Sequence, residues 1–188
     1  MAFFDYIQFR SQRLPVYLQS ELAECGIICV AMLACFYGFK INMSAMRQKY
    51  PVGSNGLTVK QIAQIAAELG MSARVLKLEL SQLMQVKRPV ILHWNLNHFI
   101  TLAKVSSKGV VIHDPAKGQR SLSWQQVAES FTGIAIELFP AANCERKEQQ
   151  QLVPQRRLSD KAFSFWPSLS KIFIIALVLK GLVFISFN

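Results

Sequence analysis

The sequence predicts an α+β fold, a helical half followed by an antiparallel sheet half. Three observations carry this. The 188 residues suffice for one domain with a real core. Helix caps, apolar residues three and four apart and terminating glycines occupy the stretch up to Gly70. Short apolar runs separated by turn residues occupy the stretch from there to Pro140. Helices first and strands second is the layout of an α+β domain.

The elements follow in order. Residues 1–13 read as a short amphipathic lead-in, and the domain is expected over 14–140. A helix is predicted over 25–37, ended by Gly38. Ser44 is the expected N-cap of a short second helix, and Thr58 that of a third over 59–69, ended by Gly70. Strands are predicted over 73–78, 90–94, 99–105, 110–113, 119–122 and 134–139. Ser123 is expected to cap a short helix through Ser130. Residues 141–167 are polar and charged, contain Glu-Gln-Gln-Gln, and read as a linker. Residues 172–187 read IFIIALVLKGLVFISF. A buried helix would account for that run. The lack of a polar face at helical spacing favours instead the start of a transmembrane helix over 168–188, truncated where the chain stops.

Composition narrows the function. The chain has 21 Lys+Arg against 11 Asp+Glu, a net charge of +10. Such a charge suits nucleic acid, an anionic membrane or an acidic partner. The basic residues form no tight run and are not interleaved with aromatics, which argues against nucleic acid. The N-terminus lacks the basic start, apolar run and cleavage site of a signal peptide. Arg146, Lys147, Arg156, Arg157, Lys161 and Lys171 precede the expected span, which puts that side in the cytoplasm. Cys25, Cys29, Cys35 and Cys144 then sit in a reducing compartment and need not pair. Cys25 and Cys29 are one helical turn apart, but no second Cys/His pair follows at zinc spacing, so no metal site is expected. There is no internal repeat and no Walker-type phosphate loop.

The chemistry concentrates in three places. Gln19 precedes Cys25 by six positions, and Cys25 opens a strongly apolar helix. Papain-like proteases place a nucleophilic cysteine at a helix N-terminus, with an upstream glutamine amide serving the oxyanion. A helix N-terminus and a neighbouring imidazolium both favour the thiolate such a nucleophile needs. Gly26 would leave room beside the thiol for a substrate backbone. Cys29 and Cys35, set among apolar residues, read as small buried hydrophobes. Three histidines compete for the base. His93 lies in the core-like run Val-Ile-Leu-His-Trp, and His113, adjacent to Asp114 on a strand, points to the opposite face. His98 is left. A turn at Ser106, Ser107, Lys108 and Gly109 folds the strands back so that Asp114 and His98 share one end of the sheet, as a carboxylate orienting an imidazole requires. Gln19 is either an ordinary surface residue or the oxyanion donor. Trp94, close to His98 in sequence, reads as a core aromatic.

The run from Glu24 to Met32 with Gln19 upstream, Asn97-His98-Phe99-Ile100-Thr101-Leu102, and Asp114-Pro115-Ala116-Lys117-Gly118 together resemble the three signatures of the C39 peptidase domain. That domain begins the ABC transporters which process and export bacteriocins and microcins, and the likeness is strongest to colicin V exporters. It covers residues 14–140, and the linker and incipient span fit the entry into a membrane domain. Two departures are Ile28, where alanine is usual, and Asn97, where many members have glycine.

The resemblance implies a papain-like fold and cleavage of a leader peptide after Gly-Gly or Gly-Ala. Cleavage after two small residues would need a narrow channel beside the thiol, with Trp94 either its wall or a core aromatic. Cys25 is then the nucleophile, His98 the base, Asp114 the orienter and Gln19 the oxyanion donor. It implies a cytoplasmic peptidase domain on a homodimeric exporter of the inner membrane, working with membrane fusion and outer-membrane export proteins. The peptidase itself would need no cofactor. ATP and Mg would belong to the whole transporter's nucleotide-binding domain. An amphipathic leader helix would dock in a shallow groove, expected on the sheet half, where residues 90–94 and 99–105 are more apolar than one buried face needs. Two rivals are a catalytically silent leader-docking domain and a membrane-tethered thiol hydrolase unrelated to export.

Overall fold

A computed structural model describes residues 13–141. The expected linker, Cys144 and the expected transmembrane segment lie outside the described residues, as does the lead-in up to residue 12. Among the described residues no helix is long and apolar enough to cross a membrane.

Helix α1 (Cys25–Phe36) is the centre of the helical half. Its sequence is apolar all round, so it has no face to give to water and is buried from Cys25 through Ala34. Ile27, Ile28, Met32 and Leu33 have no exposed surface. Each contributes roughly 1.5–3 kcal/mol by leaving water. Gly38, in the left-handed region at φ 89°, ends the helix region as predicted. Helix α2 (Met43–Lys49) is capped by Asn42, whose Oδ1 accepts from the Ala45 N–H at 3.2 Å. The predicted cap, Ser44, is of the same chemical type two positions later and falls inside the first turn. Helix α3 (Val59–Glu68) starts at Thr58 through a reciprocal capping box with Gln61. Its buried face is Ile62, Ile65 and Ala66, the three-and-four spacing that predicted it.

The sheet half holds β1 (Met71–Lys77), β2 (Val90–Trp94), β3 (His98–Ser106), β4 (Gly109–Asp114), β5 (Gly118–Leu122) and β6 (Phe131–Pro140), with α4 (Trp124–Ser130) between the last two. All pairs are antiparallel, in the order β1-β6-β2-β3-β4-β5. Alternate residues of the central strands feed two cores. Ile91 and Phe99 join α1 and α3 on one face. Val90, Leu92, Trp94, Ile100 and Leu102 join Leu83, Val127 and Leu122 on the other. The apolar surplus of residues 90–94 and 99–105 therefore goes into a sheet covered on both faces. Val90, Ile91, Leu92, Ile100 and Leu102 have no exposed surface, so the groove expected there is absent. An apolar hollow of about 540 Å³ lies elsewhere on the sheet half, lined by Glu79, Leu80, Ser81, Met84 and Trp124.

Candidate active site

The thiol of Cys25 stands on the first residue of α1. The approach to it is wound by a 3-10 turn, Leu22–Glu24. The Glu24 carboxylate, 7% exposed, holds that turn. It accepts from the Ser20 N–H at 2.7 Å and the Glu21 N–H at 3.3 Å, and from Arg47 of α2 at 2.7 and 3.2 Å. Burial pushes the Glu24 carboxyl up, but Arg47 and the two backbone N–H groups outweigh it and the net shift is downward. The backbone between Gln19 and Cys25 is thus fixed by a charge the sequence reading gave no role. Its signal was the spacing, four residues after Ser20 and three after Glu21.

The imidazole arrives from the sheet. Asn95 and Leu96 take positive φ values of 48° and 64° in the turn between β2 and β3, and His98 opens β3. Across the hairpin turn at Ser106 and Gly109, β4 brings Asp114 back beside it. His98 Nε2 donates to Asp114 Oδ1 at 2.8 Å. The same oxygen accepts the Ala116 N–H at 2.9 Å, and Arg120 Nη1 lies 3.7 Å from Oδ2. Burial pushes the Asp114 carboxyl up. The His98 and Ala116 hydrogen bonds and the charges of His98 and Arg120 overcome this and hold it below its ordinary value. With Nε2 committed to Asp114, the other ring nitrogen is the one left to act on the Cys25 thiol, and Cys25 is among the groups that raise the His98 pKa. Burial lowers the His98 pKa, but bonds and charges from Asp114 and Cys25 raise it further, to about 9.

Cys25, His98 and Asp114 are therefore together, and the latter two are where hairpin folding predicts them. Gln19 lies in the irregular segment before the 3-10 turn, and its N–H donates to the Pro115 carbonyl at 2.9 Å, one residue past Asp114. Its side-chain Oε1 is buried and has no hydrogen-bond partner among the described residues. Trp94 is the cross-strand partner of His98, 5% exposed and packed in the second core cluster, which is the core-aromatic alternative. At Gly26 a Cβ would meet Ile62 Cδ1 at 3.1 Å and Leu57 Cβ at 3.3 Å, so the glycine allows close packing against these two residues. Cys29 is fully buried one turn inside, and that burial pushes its thiol well above the ordinary value. Cys35 meets the Tyr17 hydroxyl at 3.4 Å. Among the described residues no group of three or more His, Cys, Asp or Glu could hold a metal ion.

A thiol at the head of a buried helix, an imidazole from the sheet and a carboxylate behind it define a cysteine peptidase of α+β architecture. The peptidase C39 family matches residues 13–143, and the chain belongs to that family. The colicin V secretion/processing ATP-binding protein of Escherichia coli is 36% identical over 171 residues, which is 91% of this chain. The chain spans only 24% of that relative's length. A double-glycine-motif protease from an AMS/PCAT transporter, solved in complex with the leader peptide, superimposes with a TM-score of 0.65 at 30% identity. The match covers 72% of this chain and 96% of that one. The peptidase domain of Streptococcus ComA shares the fold, with a TM-score of 0.63 at 23% identity over 68% of this chain and 99% of its own.

Proposed function

We propose that this chain is a thiol endopeptidase domain that removes double-glycine leaders, after Gly-Gly or Gly-Ala, from bacteriocin or microcin precursors. The observation that carries the reading is the Cys25–His98–Asp114 array at the start of α1, with His98 Nε2 on Asp114 at 2.8 Å. Two relatives support the substrate class, the colicin V secretion/processing protein and the leader-bound double-glycine protease.

In papain-like order, the Cys25 thiolate attacks the carbonyl carbon of the second small residue, and His98 carries the proton. The tetrahedral oxyanion would accept hydrogen bonds from the Gln19 side-chain N–H and from a backbone N–H at the start of α1. His98 then protonates the leaving amine, which departs as the S–acyl bond remains on Cys25. Water, deprotonated by His98, hydrolyses that acyl-enzyme. Asp114 keeps the ring oriented and stabilises the imidazolium.

The leader helix would seat in the hollow of Leu80, Met84 and Trp124, whose apolar lining suits anchors on one helix face. In the whole protein the domain would lie on the cytoplasmic side of an inner-membrane, homodimeric ABC exporter. That exporter would supply ATP and Mg chemistry and meet membrane fusion and outer-membrane proteins. The test is incubation with a synthetic leader–cargo peptide and mass analysis of the products. Cleavage after Gly-Gly supports the reading, whereas binding without cleavage would leave a silent docking domain.

A further inference from the structure

We propose that His113 is a positioning residue for the oxyanion site, acting through the segment that carries Gln19. This rests on the reading of Gln19 as the oxyanion donor. The segment 13–20 has no regular secondary structure and joins no ladder. Its inward residues include Pro15, Tyr17 and Gln19, each partly buried, while Val16, Leu18 and Ser20 face out. Pro15 has no N–H, so a regular ladder cannot form there.

Among the described residues, two bonds tie the segment to the end of β4 and the residue after it, one on each side of Asp114. His113, 5% exposed, donates Nδ1–H to the Pro15 carbonyl at 3.0 Å, since a carbonyl only accepts. The Gln19 N–H donates to the Pro115 carbonyl at 2.9 Å. Between them, the ends of residues 15–19 are tied to residues 113 and 115. Asp114, which orients His98, lies between those two anchors. The Gln19 side chain makes no hydrogen bond among the described residues, and its Oε1 is buried without a partner. Its placement is therefore inherited from its backbone. A donor that must sit within a few tenths of an ångström of a developing oxyanion is sensitive to such inheritance. His113 thus locks the oxyanion segment to the same strand end that sets the base.

The experiment is a double-mutant cycle on leader cleavage, with hydrogen exchange of the peptide covering residues 14–20. His113→Phe keeps the bulk and loses the donor. It should lower kcat roughly 10- to 100-fold with little change in KM. In a Gln19→Ala background the same change should cost less than about twofold, because the group it positions is gone. His113→Asn, whose amide nitrogen lies near the Nδ1 position, should keep most activity, and His113→Gln, whose nitrogen lies one bond further, should lose it. That Asn/Gln pair decides the matter if the Phe variant does not fold. Alkylation of Cys25 by iodoacetamide, which needs no oxyanion donor, should stay within about twofold of the parent. Exchange over 14–20 should quicken about tenfold in the Phe and Gln variants and not in the Asn variant. Independent losses in the cycle, equal activity of Asn and Gln, or unchanged exchange would each overturn the proposal. A parent chain that exchanges as expected but cuts no leader would instead count against the proposed function alone.

Discussion

His98 Nε2 and Asp114 Oδ1 meet at 2.8 Å across the β3–β4 hairpin, and this contact decides which ring nitrogen faces the thiol. Asp114 is almost fully buried, with 3% exposure, so the carboxylate has few partners besides His98, the Ala116 N–H and Arg120. Its charge is therefore spent mainly on the imidazolium.

That contact predicts the alkaline side of the pH profile. A group whose folded pKa is raised contributes stability fully below its ordinary value, here 6.5, and loses it as pH rises through the folded value of about 9. The protonated ring is also the form that donates to the leaving amine. kcat/KM should therefore fall through an alkaline limb near pH 9. Asp114→Asn should move that limb to lower pH, since the charge raising His98 is gone. It should also lower kcat less than Asp114→Ala, because asparagine can still accept from the ring. A limb that stays in place or moves upward in Asp114→Asn speaks against this account.

Glu24 predicts an acid dependence of stability with the opposite sign. Its folded pKa is lowered, so its contribution is complete above the ordinary value of 4.5 and is lost as pH falls through the folded value. Glu24→Gln should destabilise the domain by roughly 1–3 kcal/mol at neutral pH, because it leaves Arg47 and the turn N–H groups with a neutral acceptor. Denaturant titrations from pH 7 down to 3 should show the gap between parent and variant narrowing only below about pH 4.5. A gap independent of pH would assign the effect to packing.

The two cysteines of α1 should separate cleanly. Cys29→Ala should cost about 1 kcal/mol of stability through lost packing and leave turnover near that of the parent. Its thiol, raised well above the ordinary range by burial, should resist iodoacetamide at neutral pH while Cys25 is labelled. Peptide mapping after a short exposure shows which sulfur has reacted, and first labelling at Cys29 would reverse the assignment.

The hollow at Leu80, Met84 and Trp124 should govern affinity and not chemistry. Met84→Glu, at a side chain 53% exposed, puts a charge in an apolar seat with little effect on the fold. KM for the full leader should rise about tenfold, equivalent to roughly 1.4 kcal/mol, with kcat unchanged. A leader cut with unaltered KM would move the docking surface elsewhere.

Much of this molecule is written locally. Residues 90–94 form β2 with the predicted ends, and Thr58 and Gln61 mark the start of α3 by a capping box visible in the sequence. Ser123 marks α4 in the same way. Other boundaries shifted where two signals competed. β6 begins at Phe131 and not near Ile134, because Gly133, at φ 86°, reads as a break yet its carbonyl accepts the Leu78 N–H at 2.8 Å. Burial on both sheet faces was hidden because a continuous apolar run looks the same whether its second face meets a core or a ligand. In the site, motif spacing picked out Cys25, His98 and Asp114. The bonds of Glu24 to Arg47 and of His113 to Pro15 join residues far apart in the chain, and no local pattern announces them.

The most direct test of the central claim is the mass of the products when the purified chain meets a leader–cargo peptide with an intact Gly-Gly pair. The account predicts a single cut after the second glycine by the parent chain. It predicts no cut by Cys25→Ala, although that variant should bind the leader as tightly as the parent. Cleavage by the folded Cys25→Ala variant, or a cut at some other bond by the parent, would contradict it.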